Sequence, residues 1–161
     1  KFGEYLIKRP NSSLENNGTY DPVQDRKELA RAKANSTILK DAGFKLIPGE
    51  PIPIPSLSDP RVQSGLKSAY AQYIGRIKLG QRLLMLPDGE QRNEQLHAEL
   101  MAGMEITDAE LKELAQSRAK AAYELMIKSD SSLKDRIQLG EVKTVEAGKE
   151  GIPLDVEVRI K

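Results

Sequence analysis

The chain has 161 residues, 39% hydrophobic and 30% charged, a composition typical of a folded globular domain. Its 25 lysines and arginines against 24 acidic residues argue against a general binder of nucleic acid or of anionic membranes. Cysteine is absent, which excludes disulfides, thiolate metal sites and a cysteine nucleophile, and no apolar run reaches the roughly 20 residues of a membrane span.

The sequence begins with a helical pattern that soon gives way to an extended one. Phe2, Tyr5 and Leu6 recur at helical spacing, and Pro10 ends this run. The segment that follows, SSLENNG, predicts a short strand. Because the chain opens without a methionine in what resembles the end of a helix, we expect it to be truncated at its N-terminus.

The middle of the chain has the apolar periodicity of helices. Helices are predicted over residues 22–40, from Ser58 or Asp59 onwards, over residues 90–100, and from Thr107 or Asp108 onwards. The four prolines in residues 48–55 remove backbone donors that a helix or a central strand needs. They predict an extended connector at the surface.

Two short segments at the end of the chain, DRIQLGEVKTV and IPLDVEVRI, have the character of strands. In the second, Leu154, Val156, Val158 and Ile160 alternate with polar residues. The polar loop EAGKEG between the segments contains two glycines, so a C-terminal β-hairpin is predicted. The whole chain is then expected to form one α+β domain, residues 1–161, with a helical insertion at about residues 44–105.

Two charged residues stand out against their local patterns. Asp21 precedes Pro22, with Gln24 three positions after the aspartate, so it can cap a helix N-terminus without any ligand. Arg118 lies on or beside the apolar stripe of the last helix, where a guanidinium must reach water or meet an acid. Either its aliphatic part packs on the edge of the core while the guanidinium reaches water, or the guanidinium binds a carboxylate through two hydrogen bonds.

Catalytic groups and metal ligands are not indicated by the sequence. His97 is the single histidine, and without cysteine or a second histidine it is a poor candidate for a metal or catalytic site. No serine stands in a nucleophile-elbow motif, and no glycine-rich loop suited to a phosphate occurs. We therefore predict a protein that is not an enzyme, with no catalytic residue, metal or cofactor.

Two motifs, in the order of the predicted elements, resemble a known family. GTYD, residues 18–21, resembles the Gly-x-x-Asp element of OmpA-like domains, and LAQSRAKAA, residues 114–122, resembles their Leu-Ser-x-x-Arg-Ala-x-x-Val helix. More closely, three segments resemble the C-terminal module of AsmA-like envelope proteins of Gram-negative bacteria, a family of unknown function. They are YDPVQDRKELARAKA, ITDAELKELAQSRAKA and RIQLGEVKTVEAGKEGIPLDVEVRIK, and they cover roughly half of the chain.

This resemblance implies an OmpA-like helix/sheet sandwich in the periplasm, as part of a larger, membrane-anchored envelope protein. In OmpA-like domains that bind peptidoglycan, the Asp and Arg of these motifs hold the diaminopimelate of the stem peptide. The matching residues here are Asp21 and Arg118, and Gly18 and Arg26 complete the candidate ligand-binding set. An aspartate suits the ligand's ammonium and an arginine its carboxylate. No nucleic acid is expected as a partner, and no direct insertion of this segment into a membrane is expected.

The chain also departs from the OmpA-like pattern. Ala115 stands where the family has serine, Ala122 stands where it has valine, and the insertion separates the two motifs. The insertion would cover the pocket and leave Asp21 in an ion pair with Arg118 or Arg26. Two hypotheses follow: a non-catalytic module that docks a protein partner or its own parent chain, which we favour, and a peptidoglycan anchor.

Overall fold

The computed structural model describes residues 6–149 and 151–160, and these have a mixed α+β fold, as the sequence predicts. They form one three-stranded sheet, five α-helices, a π-helical turn and a short 3-10 helix. The strands are β1 (Ser12–Tyr20), β2 (Ile137–Thr144) and β3 (Asp155–Ile160). The helices are α1 (Gln24–Asp41), α2 (Pro60–Tyr70), α3 (Arg76–Met85), α4 (Glu90–Gly103) and α5 (Asp108–Ser129). The π-helical turn is Ala71–Gly75, and the 3-10 helix is Ser131–Arg136.

The chain divides into two compact units. The first combines the segment up to Arg26 with the segment from Thr107 onwards, and it contains the sheet, α5 and the start of α1. The second is the continuous stretch of residues 27–106, which is helical and contains the rest of α1 with α2, α3 and α4. The insertion predicted at residues 44–105 lies within this second unit. That the two units form one domain stays a prediction.

Strand β1 is the middle strand of the sheet, whose order is β2-β1-β3. It runs parallel to β2 and antiparallel to β3, with Leu14 opposite Ile137 on one side and Val158 on the other. The predicted C-terminal β-hairpin is therefore wrong, because β2 and β3 both pair with the strand between them. The alternation of apolar residues identifies β3 as a strand but not the strand with which it pairs. It pairs with β1, which is the most buried of the three strands and lies in the middle of the sheet.

The core of the first unit lies where the sheet and α5 meet. The buried cluster and the apolar residues packed against it are Leu6, Leu14, Leu133 and Ile137, with Tyr123, Met126 and Val156. Leu6 comes from the helical pattern at the start of the chain, whereas Phe2 and Tyr5 lie outside the described residues. Further along β3 the apolar face opens, since Val158 is 44% and Ile160 78% exposed.

Two of the helices begin at the capping residues that the sequence indicates. At the start of α5, Thr107 accepts a hydrogen bond from the Glu110 backbone, and the Glu110 carboxylate accepts one from the Thr107 backbone. At the start of α2, Asp59 accepts the backbone N–H of Arg61. Residues 48–55 lie in neither helix nor strand, as their prolines predict.

The second predicted helix is interrupted in the structure. Apolar spacing extends its predicted face from Val62 to Ile77, but α2 ends at Tyr70 and a π-helical turn follows. Gly75 closes that turn with a φ of 120°, a conformation that residues with a Cβ rarely adopt. Helix α3 starts after it, and none of the ten residues of α3 is buried.

Gly18 allows α5 to approach β1 closely. A Cβ at this position would lie 2.7 Å from the carbonyl oxygen of Ala115, a backbone atom held within a helix. We expect Gly18→Ala to lower the free energy of unfolding in urea by about 1–3 kcal/mol. The matched control is Gly80→Ala, because an added Cβ there meets nothing within 4 Å and α3 gains about 0.5–1 kcal/mol. Equal unfolding midpoints for the two variants would contradict this close approach.

Candidate functional site

Asp21 follows β1 and caps the start of α1. Its Oδ1 accepts the backbone N–H groups of Val23 at 2.7 Å and of Gln24 at 2.8 Å, and its Oδ2 accepts that of Ala147 at 2.7 Å. The cap expected from the sequence is confirmed, although α1 begins at Gln24 rather than at residue 22. The N–H groups of Gln24, Ala147 and Val23 hold the pKa of Asp21 below its usual range.

Asp25 completes this helix start from within α1. The backbone N–H of Asp21 donates to Asp25 Oδ2 at 2.8 Å, and the backbone N–H of Asp25 donates to the Asp21 carbonyl oxygen at 3.0 Å. The two residues therefore satisfy polar groups of each other at the start of the helix. The sequence suggested Gln24 for this reciprocal role, one position too early. Asp25 is 2% exposed, and a carboxylate so deeply buried requires further donors or a cation.

Arg118 supplies that cation from the middle of α5. Its Nη2 lies 2.6 Å from Asp25 Oδ1 and its Nη1 lies 2.8 Å from Asp25 Oδ2, a bidentate pair. Nη1 also donates to the carbonyl oxygen of Thr19, on β1, at 3.3 Å. The ion pair is asymmetric in burial, because the Asp25 side chain is 3% exposed and the Arg118 side chain 36%.

The protonation of this pair follows from its contacts. Burial raises the pKa of the Asp25 carboxyl, but the hydrogen bonds from Arg118 and from the Asp21 amide outweigh burial. The net pKa of Asp25 lies below its ordinary value, so the carboxylate is charged at neutral pH. Arginine does not lose its proton in proteins, so the pair stays fully ionic.

The other two candidate residues have separate roles. Arg26 pairs with Asp108, the first residue of α5, at 2.7 Å, and the two side chains are 42% and 78% exposed. Gly18 faces the backbone of α5 at Ala115. The structure therefore brings Arg118 to Asp25 rather than to Asp21, and the ion pair expected between Asp21 and either arginine is replaced by two others.

Together these contacts tie three elements of the first unit at one point. Arg118 joins α5 to the start of α1 and to the end of β1, while Asn16 on β1 donates from Nδ2 to the Ala119 carbonyl of α5 at 2.7 Å. The arrangement has a charged fork and two carboxylates, but no nucleophile–base pair. Its evident chemical role is to hold the end of β1, the start of α1 and α5 in register.

Outside this site, His97 in the second unit contacts a neighbouring side chain. Its Nε2 lies 2.7 Å from Asn35 Oδ1, and burial lowers the pKa of the imidazole. Residues 6–149 and 151–160 contain no group of three or more His, Cys, Asp or Glu side chains placed to hold a metal ion. Across the same residues, no helix combines the length and the apolarity needed to cross a bilayer.

No protein-family model, curated protein or solved structure matches the chain.

Removing the guanidinium of Arg118 tests whether the pair supports the fold. We expect Arg118→Met to cost about 3–5 kcal/mol, because the buried Asp25 carboxylate loses its cation. The matched control is Arg26→Met, whose partner Asp108 is 78% exposed, so that this pair should contribute at most about 1 kcal/mol. Urea unfolding measures both variants. Losses of similar size in the two would show that the Arg118 pair has no special structural role.

Proposed function

We propose that this chain is a non-catalytic interaction module of a larger cell-envelope protein of the AsmA-like kind, located in the periplasm. The assignment to the envelope rests on the resemblance of three sequence segments to the C-terminal module of those proteins. One observation favours an interaction module over a peptidoglycan anchor. The polar groups that would hold a ligand, Asp21 and Arg118, are engaged within the protein's own fold.

An incoming ammonium group would need carboxylate lone pairs that face solvent. Asp21 is 9% exposed, and its two oxygens already accept three backbone N–H groups. Two of these belong to Val23 and Gln24, at the start of α1, so turning the carboxylate toward a ligand would uncap the helix. This cost opposes the use of Asp21 as a diaminopimelate ligand.

A ligand carboxylate would compete with Asp25 for the guanidinium fork. Both terminal nitrogens of Arg118 contact Asp25 within 2.8 Å. Moving the fork onto a ligand would leave a nearly inaccessible carboxylate without its cation, which is strongly unfavourable. The site is therefore better suited to fix the fold than to exchange ligands.

The alternative function, a peptidoglycan-binding anchor, has one observation in its favour. The Arg118 side chain is 36% exposed, so it is open to solvent on one side while its terminal nitrogens contact Asp25. A stem-peptide carboxylate contacting that exposed edge would not have to displace Asp25. A direct binding assay separates this function from the proposed one.

Sedimentation with purified peptidoglycan is that assay, with a peptidoglycan-binding OmpA-like domain as the positive control. We expect this chain to remain in the supernatant while the control domain sediments. Sedimentation of the chain that is reversed by added free diaminopimelate would overturn the proposal and establish the anchor function. The competition with free diaminopimelate uses the unchanged chain, so an unfolded Arg118 variant cannot be mistaken for one that fails to bind.

A further inference from the structure

Helix α3, in the second unit, presents large apolar side chains to solvent. Ile77 is 81% exposed, Leu84 is 89% exposed and Met85 is 75% exposed, and these three residues are called the α3 face below. Single exposed apolar residues are ordinary on protein surfaces. Helix α3 has three of them among ten residues, none of which is buried, so it exposes more apolar surface than a single side chain does.

The three side chains lie on different parts of the surface of α3, since Met85 also lines a pocket that it shares with Lys78 and Glu99. Ile77 and Leu84 are seven residues apart, so they lie on the same side of the helix, two turns from each other. Gly80 lies between them, and a Cβ added there would meet nothing within 4 Å. In the preceding π-helical turn, Tyr73 is a further exposed apolar ring, at 43%.

The segment that contains α3 has cations but no acid of its own, and Glu99 of α4 pairs with one of these cations. From Asp59 to Asp88 the chain has no acidic residue in between but has five cations: Arg61, Lys67, Arg76, Lys78 and Arg82. Arg82 is held by Glu99, with Nη2 3.0 Å from its Oε1. Arg76 and Lys78 are exposed, and they flank the apolar row on opposite sides, since successive residues are roughly 100° apart around a helix.

We propose that the α3 face docks on the surface of a lipid bilayer that contains anionic phospholipids. Ile77, Leu84 and Met85 would enter the boundary between headgroups and acyl chains, with the helix lying in the plane of the membrane. Arg76 and Lys78 would extend their stems over that boundary and place their charges among the phosphates. This differs from a span, for which α3 is far too short.

Other occupants of the α3 face are less favourable on the same observations. A second copy of the chain would bring two cationic helices together, which repel each other. A protein partner needs a larger area, since stable interfaces bury roughly 800 Å² on each side and three side chains cover only part of that. A lipid surface needs neither shape complementarity nor a groove, and its negative charge matches the flanking cations.

This inference does not depend on the proposed function, because it uses none of the residues of the Asp25–Arg118 site. It also agrees with the balanced net charge of +1, since the segment between Asp59 and Asp88 has five cations and no acid while acids outnumber cations in the rest of the chain. Binding should therefore be peripheral and weak. It should also be sensitive to salt, which screens charges at an exposed surface.

Vesicle sedimentation tests the proposal with the full chain. We expect binding to vesicles of phosphatidylcholine and phosphatidylglycerol in a roughly 2:1 ratio, and none to phosphatidylcholine alone. Ile77→Gln with Leu84→Gln should reduce the partition coefficient at least about tenfold, because it removes the inserted apolar groups but keeps good helix formers. The matched control is Ile47→Gln with Ile54→Gln, which changes two residues that are 60% and 80% exposed elsewhere in the same unit.

The control variant should bind as the unchanged chain does, and the circular dichroism of both variants should match it. Absence of binding to the anionic vesicles would overturn the proposal. So would equal losses in the two double variants, or binding to polyglutamate by a chain that does not bind the vesicles, which would indicate an acidic protein partner instead.

Discussion

The first unit depends on the ion pair between Arg118 and Asp25, which lies where β1 ends and α1 begins, beside α5. The Arg118 guanidinium keeps its proton, and the Asp25 side chain is only 3% exposed. Neither Asp25 nor Arg118 can be removed alone without leaving a polar or charged group unsatisfied. The close approach of α5 at Gly18 brings Arg118, one helical turn beyond Ala115, into reach of both Asp25 and the Thr19 carbonyl. The arrangement of the first unit depends on this pair and on the small residue that makes room for it.

The local features of the fold could be predicted from the sequence. Caps at Asp21, Asp59 and Thr107 have short-range signals, because a side-chain oxygen reaches N–H groups only two or three residues away. The order of the strands has no such signal. Strand β3 pairs with β1, from which it is separated by more than a hundred residues, because β1 is the strand that is buried on both sides. The polar loop between β2 and β3 gives no sign of this pairing.

The candidate site was predictable only in part for the same reason. Arg118 stands out because a charge beside an apolar stripe requires a partner, but the sequence does not identify which acid meets it. Asp21 is the more conspicuous aspartate because it precedes Pro22, whereas Asp25 looks like an ordinary acid in a helical first turn. The whole-chain charge hides a second feature, since a balance of +1 conceals the acid-free segment that contains α3.

A double-mutant cycle on the pair tests most directly whether Asp25 and Arg118 act as one structural unit. Asp25→Asn, Arg118→Met and the variant with both changes are compared with the unchanged chain by urea unfolding. A direct, buried interaction predicts a coupling energy of about 2–3 kcal/mol, with the double variant more stable than the sum of the single losses implies. A coupling energy below about 0.5 kcal/mol would mean that the two residues contribute independently, and it would contradict this account of the site.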